Sequence, residues 1–452
     1  MLIGTLHEVF VPWRRARTAH YAGNRGPPNE VRPRWEEGND MSVRCRAGKW
    51  VAALSAALLV TACGGNSPTE SAPAATVPAG LGVKSFDISF SAMSQLKDLT
   101  AAGRGMVGVI LPDTTSSTRY VDFDAPYLKK AFEAAGYTAG QYKIDNAQGV
   151  NATELALAQA DIAQGASVLI FDPLDSTVGA QVQTYAAAHG VALISYDRAT
   201  FSGKDTYYVS FDNVEVGKLI GKGFTSCVSD WGVKEPKVFQ LNGGEDTDPN
   251  AVSFAEGYNS VIWGKQATPL PAGTRNSAGF TLVGDKITPG WVNATGATIF
   301  TQQFTAHPEI NATVEANDGL ANAVVTVLKN KGVGPKKIPT TGQDATLQGM
   351  TNILQGYQCG SVYKPVYLEA QAAVTLATIL RAKQTPPPAL VNSTTSPPKG
   401  VSGSPQPASL LTPVWVDAAA VNDTVIKDKF IDAKALCSAV GADVCKAAGI
   451  TP

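Results

Sequence analysis

From Met106 onward, short apolar runs alternate with longer segments whose apolar residues recur at helical spacing. The runs MVGVILP, SVLIFDP and VALISYD lack polar alternation, which is typical of strands buried on both faces of a parallel sheet. The segments between such runs, for example APYLKKAFEAAGY and VGAQVQTYAAAHG, predict amphipathic helices. The sequence therefore predicts an α/β fold in which strands and helices alternate along the chain.

A second series of similar order follows the first. It begins with a predicted helix in VGKLIGKGFTSCVSDW, continues through the strand KVFQLNG and ends with the strand IPTTGQD. After it come a strand in SVYKP, a helix in VYLEAQAAVTLATILRAK, a loop rich in Pro, Ser and Thr from 385 to 407, and LLTPVWVD, which we interpret as one final strand. Two such series predict two similar doubly wound parallel-sheet domains with a cleft between them.

The chain before this pattern carries a different signal. Basic residues in 42–49 precede an apolar run from Trp50 to Ala62, which is shorter than the roughly 20 residues that span a bilayer and so predicts a secretory signal. The run ends in VTAC at 60–63, which resembles the lipobox of bacterial lipoproteins. This resemblance implies cleavage before Cys63 and a lipid on that cysteine; an ordinary buried cysteine after an apolar helix is the alternative.

The segments on either side of the signal have their own compositions. We expect the signal to comprise residues 41–63, with translation starting at Met41, because residues 1–40 are rich in Arg and Pro and lack periodicity. On this interpretation residues 1–40 are an upstream or non-native extension. Residues 64–103 are rich in Ser, Pro, Thr and Ala, which predicts a disordered tether between the lipid and the folded domains.

Composition and charge narrow the class of protein. The 452 residues are 44% apolar and 17% charged, which is typical of a globular protein large enough for two domains. Residues 1–62 hold 9 of the 37 Lys and Arg residues and 5 of the 38 Asp and Glu residues, so the remainder has a net charge near −5. Because a mildly acidic surface repels phosphate backbones, we expect no nucleic-acid partner.

Four of the six cysteines lie beyond the signal, where an exported protein meets an oxidising compartment. Cys227, Cys359, Cys437 and Cys445 permit two disulfides in three possible pairings. We favour Cys437–Cys445, since SAVGADV between them forms a small loop, and this choice leaves Cys227–Cys359 as the second pair. Free buried thiols are the alternative.

Polar and aromatic side chains follow the apolar runs, at the edge of a parallel sheet where ligands bind. In VALISYDRA, Tyr196, Asp197 and Arg198 come directly after a predicted strand. An acceptor beside a donor fork suits neighbouring sugar hydroxyls, and aromatic faces cover the C–H faces of a sugar ring. An ion pair that merely caps the strand is the alternative. The other strand-end residues are Asp113, Asn242, Asn317, Asp318, Gln343, Asp344, Tyr363 and Lys364.

Several longer segments carry a family resemblance. The segments that occur in family order between about residues 105 and 431 are VGVILPDTTSSTRYVDFDAP, ISYDRA, YYVSFDNVEVGK, NGGEDTDPNA, GWVNATGA, EANDGLANAVVTVLKNKG, TGQDATLQGM, YKPVYLEAQAAV and LLTPVWVDAAAVNDTVIKDKF. The chain resembles the type I periplasmic sugar-binding proteins of ABC transporters, and most closely the D-xylose-binding proteins. The resemblance implies that a monosaccharide is bound without cofactor or turnover and delivered to an ABC permease. We expect a monomer, held at the extracytoplasmic face of the membrane by its lipid anchor.

The resemblance also implies the periplasmic binding protein type I fold, in which the two domains are joined by three hinge crossings. These crossings would lie near residues 205, 364 and 409. Each sugar-binding lobe is then built from two chain segments: the N-terminal lobe from 104–205 and 364–409, and the C-terminal lobe from 206–363 and 410–452.

The family's sugar contacts carry over to nine residues of this chain. Arg119 and Tyr120 lie in the first loop, where the tyrosine stands in place of the family's usual tryptophan. Asp197 and Arg198 would bind sugar hydroxyls from the first lobe. The remaining contacts would come from the second lobe and the hinge, at Asn250, Trp291, Asn317, Asp344 and Lys364.

Enzymes and metal proteins need residue patterns that this chain lacks. Two histidines lie beyond the signal, Gly-x-Ser-x-Gly is absent and GKLIGKG lacks P-loop spacing, so we expect no catalytic residue. The start of a calcium-binding EF-hand loop is matched in spacing by Asp246, Asp248 and Asn250. Ala251 and Gly257 stand where that loop needs Gly and Glu, so we expect no metal site.

Two alternative functions of such a fold make different demands on the sequence. A sugar-sensing transcriptional regulator would need a helix-turn-helix before the sugar domain, where the sequence has the predicted tether instead. The sequence is equally compatible with a binding protein for another small polyol, such as ribose, galactose or a furanose signal.

Overall fold

The computed structural model describes residues 75–203, 205–244 and 248–452. The predicted upstream extension, the signal segment and Cys63 lie outside these residues. Within the described ranges, no helix is both long and apolar enough to span a lipid bilayer.

Strands and helices alternate through most of the chain. The strands are β1 (Met106–Leu111), β2 (Tyr142–Asn146), β3 (Ala166–Phe171), β4 (Ala192–Tyr196), β5 (Tyr207–Phe211), β6 (Lys237–Gly243), β7 (Thr281–Thr288), β8 (Ala312–Glu315), β9 (Gly342–Gln343), β10 (Ser361–Tyr363), β11 (Ser393–Thr395), β12 (Gln406–Leu411) and β13 (Val414–Val416). The α-helices are α1 (Lys97–Ala102), α2 (Ala125–Ala134), α3 (Asn151–Ala163), α4 (Ser176–Ala188), α5 (Asn213–Asp230), α6 (Pro249–Ile262), α7 (Asn293–Ala306), α8 (Asp318–Asn330), α9 (Leu347–Leu354), α10 (Val366–Arg381), α11 (Ala433–Val440) and α12 (Ala442–Ala447). Short 3₁₀ helices lie at Val83–Ser85, Ser91–Leu96 and Pro289–Trp291, and π-helical turns at Tyr120–Asp124 and Asn422–Ile426.

The first lobe is built on a seven-stranded sheet with the order β11-β12-β5-β4-β3-β1-β2. Its strands pair in parallel except β11, which is antiparallel to β12. The apolar runs β1, β3 and β4 lie in the middle of the sheet and are buried along almost their whole length. Helices cover both faces of such a sheet, which explains why these strands show no polar alternation.

The second lobe contains two three-stranded sheets, with the orders β7-β6-β8 and β13-β10-β9. Between them, the backbone N–H of Thr313 donates to Pro339 O at 2.8 Å. The backbone N–H of Thr341 donates to the side chain of Glu315, at 2.9 Å from Oε2. A buried glutamate side chain therefore takes the place of a backbone acceptor where the two sheets meet.

The chain passes between the lobes after β5, after β10 and after β12. The sequence predicted passages near residues 205, 364 and 409, so the first and last lie a few residues later than expected. The prediction that LLTPVWVD forms one strand is wrong: β12 ends at Leu411 in the first sheet, and β13 begins at Val414 in the second lobe. Pro413 between them has no backbone N–H for a ladder hydrogen bond, so the strand ends there.

The expectation of a disordered tether over residues 64–103 is wrong from residue 75 onward. Phe90, Met93 and Leu96 are buried in the core of the first lobe. The side-chain nitrogen of Gln371 in α10 donates to Asp87 O at 2.8 Å. Proline is absent from residues 81–103, and the spaced apolar residues there bury enough surface to order the segment.

Two disulfides link the four described cysteines in the pairing that the sequence favoured. Cys227, near the end of α5, is joined to Cys359, just before β10, with Cα atoms 5.8 Å apart. Cys437 of α11 is joined to Cys445 of α12, with Cα atoms 5.2 Å apart.

Candidate functional site

A cavity lies between the lobes, beyond the carboxyl ends of the parallel strands. Its lining includes all nine residues predicted from the sequence: Arg119, Tyr120, Asp197, Arg198, Asn250, Trp291, Asn317, Asp344 and Lys364. Ser116, Ser117, Phe254 and Gln343 complete the described part of the lining.

Sequence patterns predict only some of the four additional lining residues. Gln343 was recognised as a strand-end residue, whereas Ser116 and Ser117 lie in a loop without a periodic pattern. Phe254 lies on the buried side of α6, where helical periodicity assigns an aromatic residue to the core. The strand-end residues that turn away from the cavity include Asp113, which instead accepts hydrogen bonds from the backbone and hydroxyl of Ser116, both at 2.6 Å.

Arg119 is buried, and its guanidinium contacts three carboxylates. Nε and Nη2 donate to Asp124 at 2.9 and 2.8 Å. Nη2 also donates to Glu369 Oε2 at 2.9 Å, and Nη1 donates to Asp197 Oδ1 at 2.8 Å. Tyr196 donates its hydroxyl to the same Asp124 at 2.6 Å. These charge-assisted bonds offset the desolvation of the buried charges and fix the plane of the guanidinium.

Tyr120 is held among the charged residues of the first lobe. Its ring centroid lies 5.5 Å from the guanidinium carbon of Arg119 and 5.8 Å from that of Arg198, within the range of cation–π attraction. Its hydroxyl donates to Asp197 Oδ2 at 3.2 Å. Tyr120 begins the π-helical turn that leads into α2, an irregularity often found at functional sites.

Asp197 is the acceptor on which the site's cations converge. Besides Arg119 and Tyr120, Lys364 donates to it, with Nζ 3.3 Å from Oδ1. Burial alone would raise the pKa of the Asp197 carboxyl, but the charges of Arg119, Lys364 and Arg198 outweigh it and lower that pKa below its ordinary value. Asp197 is therefore an ionised acceptor at neutral pH.

Arg198 connects the two lobes through an aspartate of the second. Its Nη1 lies 3.2 Å from Asp172 Oδ1 in the first lobe, and its Nε lies 3.4 Å from Asp248 Oδ2 in the second. The indole nitrogen of Trp291 donates to the same Oδ2 atom at 2.8 Å. Gly243 makes room for this indole, because a Cβ atom there would lie 1.9 Å from the ring.

Asn250 also reaches across the cleft, from the first turn of α6. Its side-chain nitrogen donates to the backbone carbonyl of Asp197 at 3.1 Å. Helix α6 is seated closely on α5, since a Cβ atom on Gly217 would lie 2.1 Å from Phe254 O. A larger residue at Gly217 would force the helices apart and displace both Asn250 and Phe254 from the cavity.

Asn317 and Asp344 contribute second-lobe groups at the ends of β8 and β9. Asn317 caps α8 by accepting from Leu320 N at 2.9 Å, which leaves its amide nitrogen as a donor. Asp344 accepts from Ser117 Oγ of the first lobe at 2.9 Å, and its Oδ1 lies 3.8 Å from Lys364 Nζ. Burial raises the pKa of the Asp344 carboxyl, although the charge of Lys364 opposes that rise.

Three lining residues adopt left-handed backbone conformations although none is glycine. The φ angles are 56° at Asp197, 59° at Trp291 and 97° at Asp344. Such conformations cost about 1–3 kcal/mol each and persist where the surrounding structure enforces them. Eight further non-glycine residues of the described ranges also have positive φ angles and lie outside the lining, so such strain is not confined to the cavity.

Three buried polar atoms of the lining have no hydrogen-bond partner within the described residues. They are Arg198 Nε, Gln343 Oε1 and Asp344 Oδ1. Arg198 Nε and Asp344 Oδ1 each face an opposite charge, at 3.4 Å from Asp248 Oδ2 and 3.8 Å from Lys364 Nζ, but without a hydrogen bond. A ligand with both donors and acceptors complements such a lining, and the aromatic rings offer faces for its C–H groups. The lining mixes acids and bases, so a neutral polyhydroxyl compound suits it better than an ion of one sign.

Two α/β lobes, three crossings and a polar cavity between the lobes define the type I class of periplasmic binding protein. The chain belongs to the periplasmic binding protein family, because residues 107–384 match the family's periplasmic binding protein domain.

Relatives and solved structures agree with this assignment. The D-xylose-binding periplasmic protein of Escherichia coli is 30% identical over 325 residues, which cover 72% of this chain and 90% of that protein. A multiple sugar-binding periplasmic receptor of Rhizobium radiobacter is 31% identical, covering 70% of this chain and 88% of the receptor. A carbohydrate transporter solute-binding protein from Chloroflexus aurantiacus, solved in complex with D-glucose, has a TM-score of 0.61 and 25% identity over 73% of this chain and 97% of its own. The chain is therefore a substrate-binding protein of sugar transport and not an enzyme.

Proposed function

We propose that this protein binds D-xylose in the cavity between its lobes and delivers it to the permease of an ABC transporter. D-xylose is small, neutral and densely hydroxylated, which suits a cavity lined by hydrogen-bond donors and acceptors from both lobes. The observation that carries the proposal is the convergence of all nine predicted contacts on one cavity that also holds unpaired polar atoms.

In this proposal the lining residues make different kinds of contact with the sugar. Asp197 and Asp344 accept from sugar hydroxyls, while Arg198, Asn317 and Lys364 are among the donors to them. The rings of Tyr120 and Trp291 cover the C–H faces of the sugar. Because both lobes supply contacts, binding stabilises the closed arrangement, which is the form that a permease would recognise.

In this proposal the protein acts as a monomer at the extracytoplasmic face of the membrane, tethered by lipid on Cys63. The support is the lipobox-like sequence VTAC after a signal-like apolar run. Expressing cells fed labelled palmitate should incorporate the label into the protein, and the Cys63→Ala variant should lose it. A wild-type protein without label, or a variant that keeps it, would contradict the anchor.

Calorimetric titration with D-xylose tests the proposal directly, followed by ribose, glucose, galactose and arabinose. Saturable micromolar or tighter binding of D-xylose is expected, with a change in tryptophan fluorescence that the Trp291→Phe variant loses. The matched control is Trp231→Phe, whose half-buried indole lies outside this cavity. Absence of D-xylose binding would refute this choice of ligand.

A broader monosaccharide specificity is the second candidate. It is favoured by Tyr120, which stands where the D-xylose-binding proteins usually have tryptophan and presents a smaller face to the sugar. One similar protein is named as a multiple sugar-binding receptor. Comparable affinities for D-xylose and for at least one hexose would establish this alternative in the same titration series.

A further inference from the structure

Two acidic residues hold Arg119 from behind the cavity. Asp124 and Glu369 are fully buried and lie outside the cavity lining. Asp124 accepts hydrogen bonds from Nε and Nη2 of the guanidinium, at 2.9 and 2.8 Å. Glu369 accepts from Nη2 at 2.9 Å. The two carboxyl groups therefore contact Arg119 on a side that does not line the cavity.

The number of donors on a guanidinium makes this arrangement selective. Arginine has five N–H groups: one on Nε and two on each terminal nitrogen. Asp124 takes the Nε hydrogen and one of the Nη2 hydrogens, and Glu369 takes the other. Of the two Nη1 hydrogens, one is donated to Asp197. A single N–H of Arg119 is left to meet a ligand.

Glu369 also couples this arrangement to the hinge. It lies in the first turn of α10, directly after the chain has crossed from the second lobe. Lys364, on the crossing itself, contacts Asp197 Oδ1 at 3.3 Å, the same oxygen to which Arg119 Nη1 donates at 2.8 Å. The crossing segment thus fixes the pair of Arg119 and Asp197 from two sides.

We propose that Glu369 is a positioning residue for sugar binding, which orients Arg119 so that one Nη1 N–H donates to one particular hydroxyl of the sugar. The inference rests on the proposed function of the cavity. When an amide replaces the carboxyl group of Glu369, Nη2 donates to a weaker acceptor and the guanidinium is held less firmly in its present orientation. Arg119 then no longer favours a sugar that carries this hydroxyl over an analogue that lacks it.

The test uses the purified protein and titrates D-xylose and its 1-deoxy, 2-deoxy, 3-deoxy and 4-deoxy analogues. Glu369→Gln keeps the size of the side chain and replaces its carboxyl group by an amide, and Arg119→Lys removes the planar guanidinium. The matched control is Glu315→Gln, a fully buried glutamate of the second lobe outside the cavity lining. Glu369→Asp, which keeps the carboxyl group, should bind more tightly than Glu369→Gln and provides a second variant should the latter fold poorly.

Glu369→Gln should weaken D-xylose binding at least fivefold while Glu315→Gln stays within twofold of the wild type. For one deoxy analogue, wild type and Glu369→Gln should have equal affinity, because that analogue lacks the hydroxyl that Arg119 meets. Arg119→Lys should single out the same analogue. A uniform loss for D-xylose and all four analogues would show that Glu369 acts on structure alone, and unchanged affinity would also overturn the inference. Failure of the wild type to bind D-xylose would instead refute the proposed function beneath it.

Discussion

Ser117 and Asp344 are 227 positions apart in the chain, yet Ser117 Oγ donates a 2.9 Å hydrogen bond to Asp344 Oδ2. Ser117 lies in the loop after β1 of the first lobe, and Asp344 follows β9 of the second. The bond spans the cleft, so it exists only while the lobes are closed. It therefore stabilises the closed form relative to any open one, in addition to the contacts that a sugar makes.

Ser117→Ala should weaken sugar binding about fivefold, since a net hydrogen bond is worth about 1 kcal/mol and this one is lost on opening. Titration calorimetry gives the affinity, and stopped-flow tryptophan fluorescence should show faster release. The matched control is Ser167→Ala, because Ser167 Oγ donates to Arg104 O at 2.7 Å inside the first lobe. Equal affinities for Ser117→Ala and wild type would mean that this bond does not contribute to closure.

Asp344→Ala and Arg198→Ala should each weaken sugar binding at least tenfold. Either change leaves buried polar groups unpaired, at about 1–3 kcal/mol. Calorimetry at one pH and salt concentration measures both, with Asp443→Ala on the exposed side of α12 as the control. Unchanged affinity in both variants would contradict the assignment of the cavity as the sugar site.

The sequence pattern predicted the parts of the site that depend on local order. Asp197 and Arg198 were recognised because a buried parallel strand must end at the ligand-binding edge of its sheet. Glu369 could not be found in this way, since it lies in a mainly apolar helical segment and meets Arg119 only through the tertiary fold, whereas Asp124 is only five positions from Arg119 but does not follow a strand. For Glu369 the partner is 250 positions away.

The wrong predictions of a tether after residue 75 and of one strand in LLTPVWVD have a common physical cause, because both depend on tertiary contacts. The segment after residue 75 was assigned to a tether on composition, but a few spaced apolar side chains such as Phe90 and Met93 are enough to order it against α10. LLTPVWVD looks like one strand because its apolar pattern continues through Pro413. Whether a proline sits inside a strand or at a crossing depends on which sheet each flank joins, and local pattern does not contain that information.

Stability should fall as pH rises across the titration of Glu315. Burial raises the pKa of Glu315 from 4.5 to about 8. Between pH 4.5 and pH 8 the folded protein therefore keeps a proton that the unfolded chain has released, and the free energy of unfolding decreases by up to about 1.4 kcal/mol per pH unit from this group. Denaturant unfolding of sugar-free protein at pH 5, 6.5 and 8 should show a shallower decrease for Glu315→Gln than for wild type. Parallel pH profiles would show that Glu315 is ionised throughout.

The two disulfides should differ in their contribution to stability because they close loops of very different length. Cys227 and Cys359 are 132 positions apart, whereas Cys437 and Cys445 are 8 apart. In the chain-entropy description, the long loop gives about 5 kcal/mol and the short one about 2.5 kcal/mol. All four cysteines are buried, so replacing either pair by alanine removes two sulfur atoms from comparable surroundings and each variant is the control for the other. Thermal and denaturant unfolding should show the larger loss for the Cys227/Cys359 variant, with little change in sugar affinity for the Cys437/Cys445 variant. Equal losses would mean that local packing, and not loop closure, sets what each disulfide contributes.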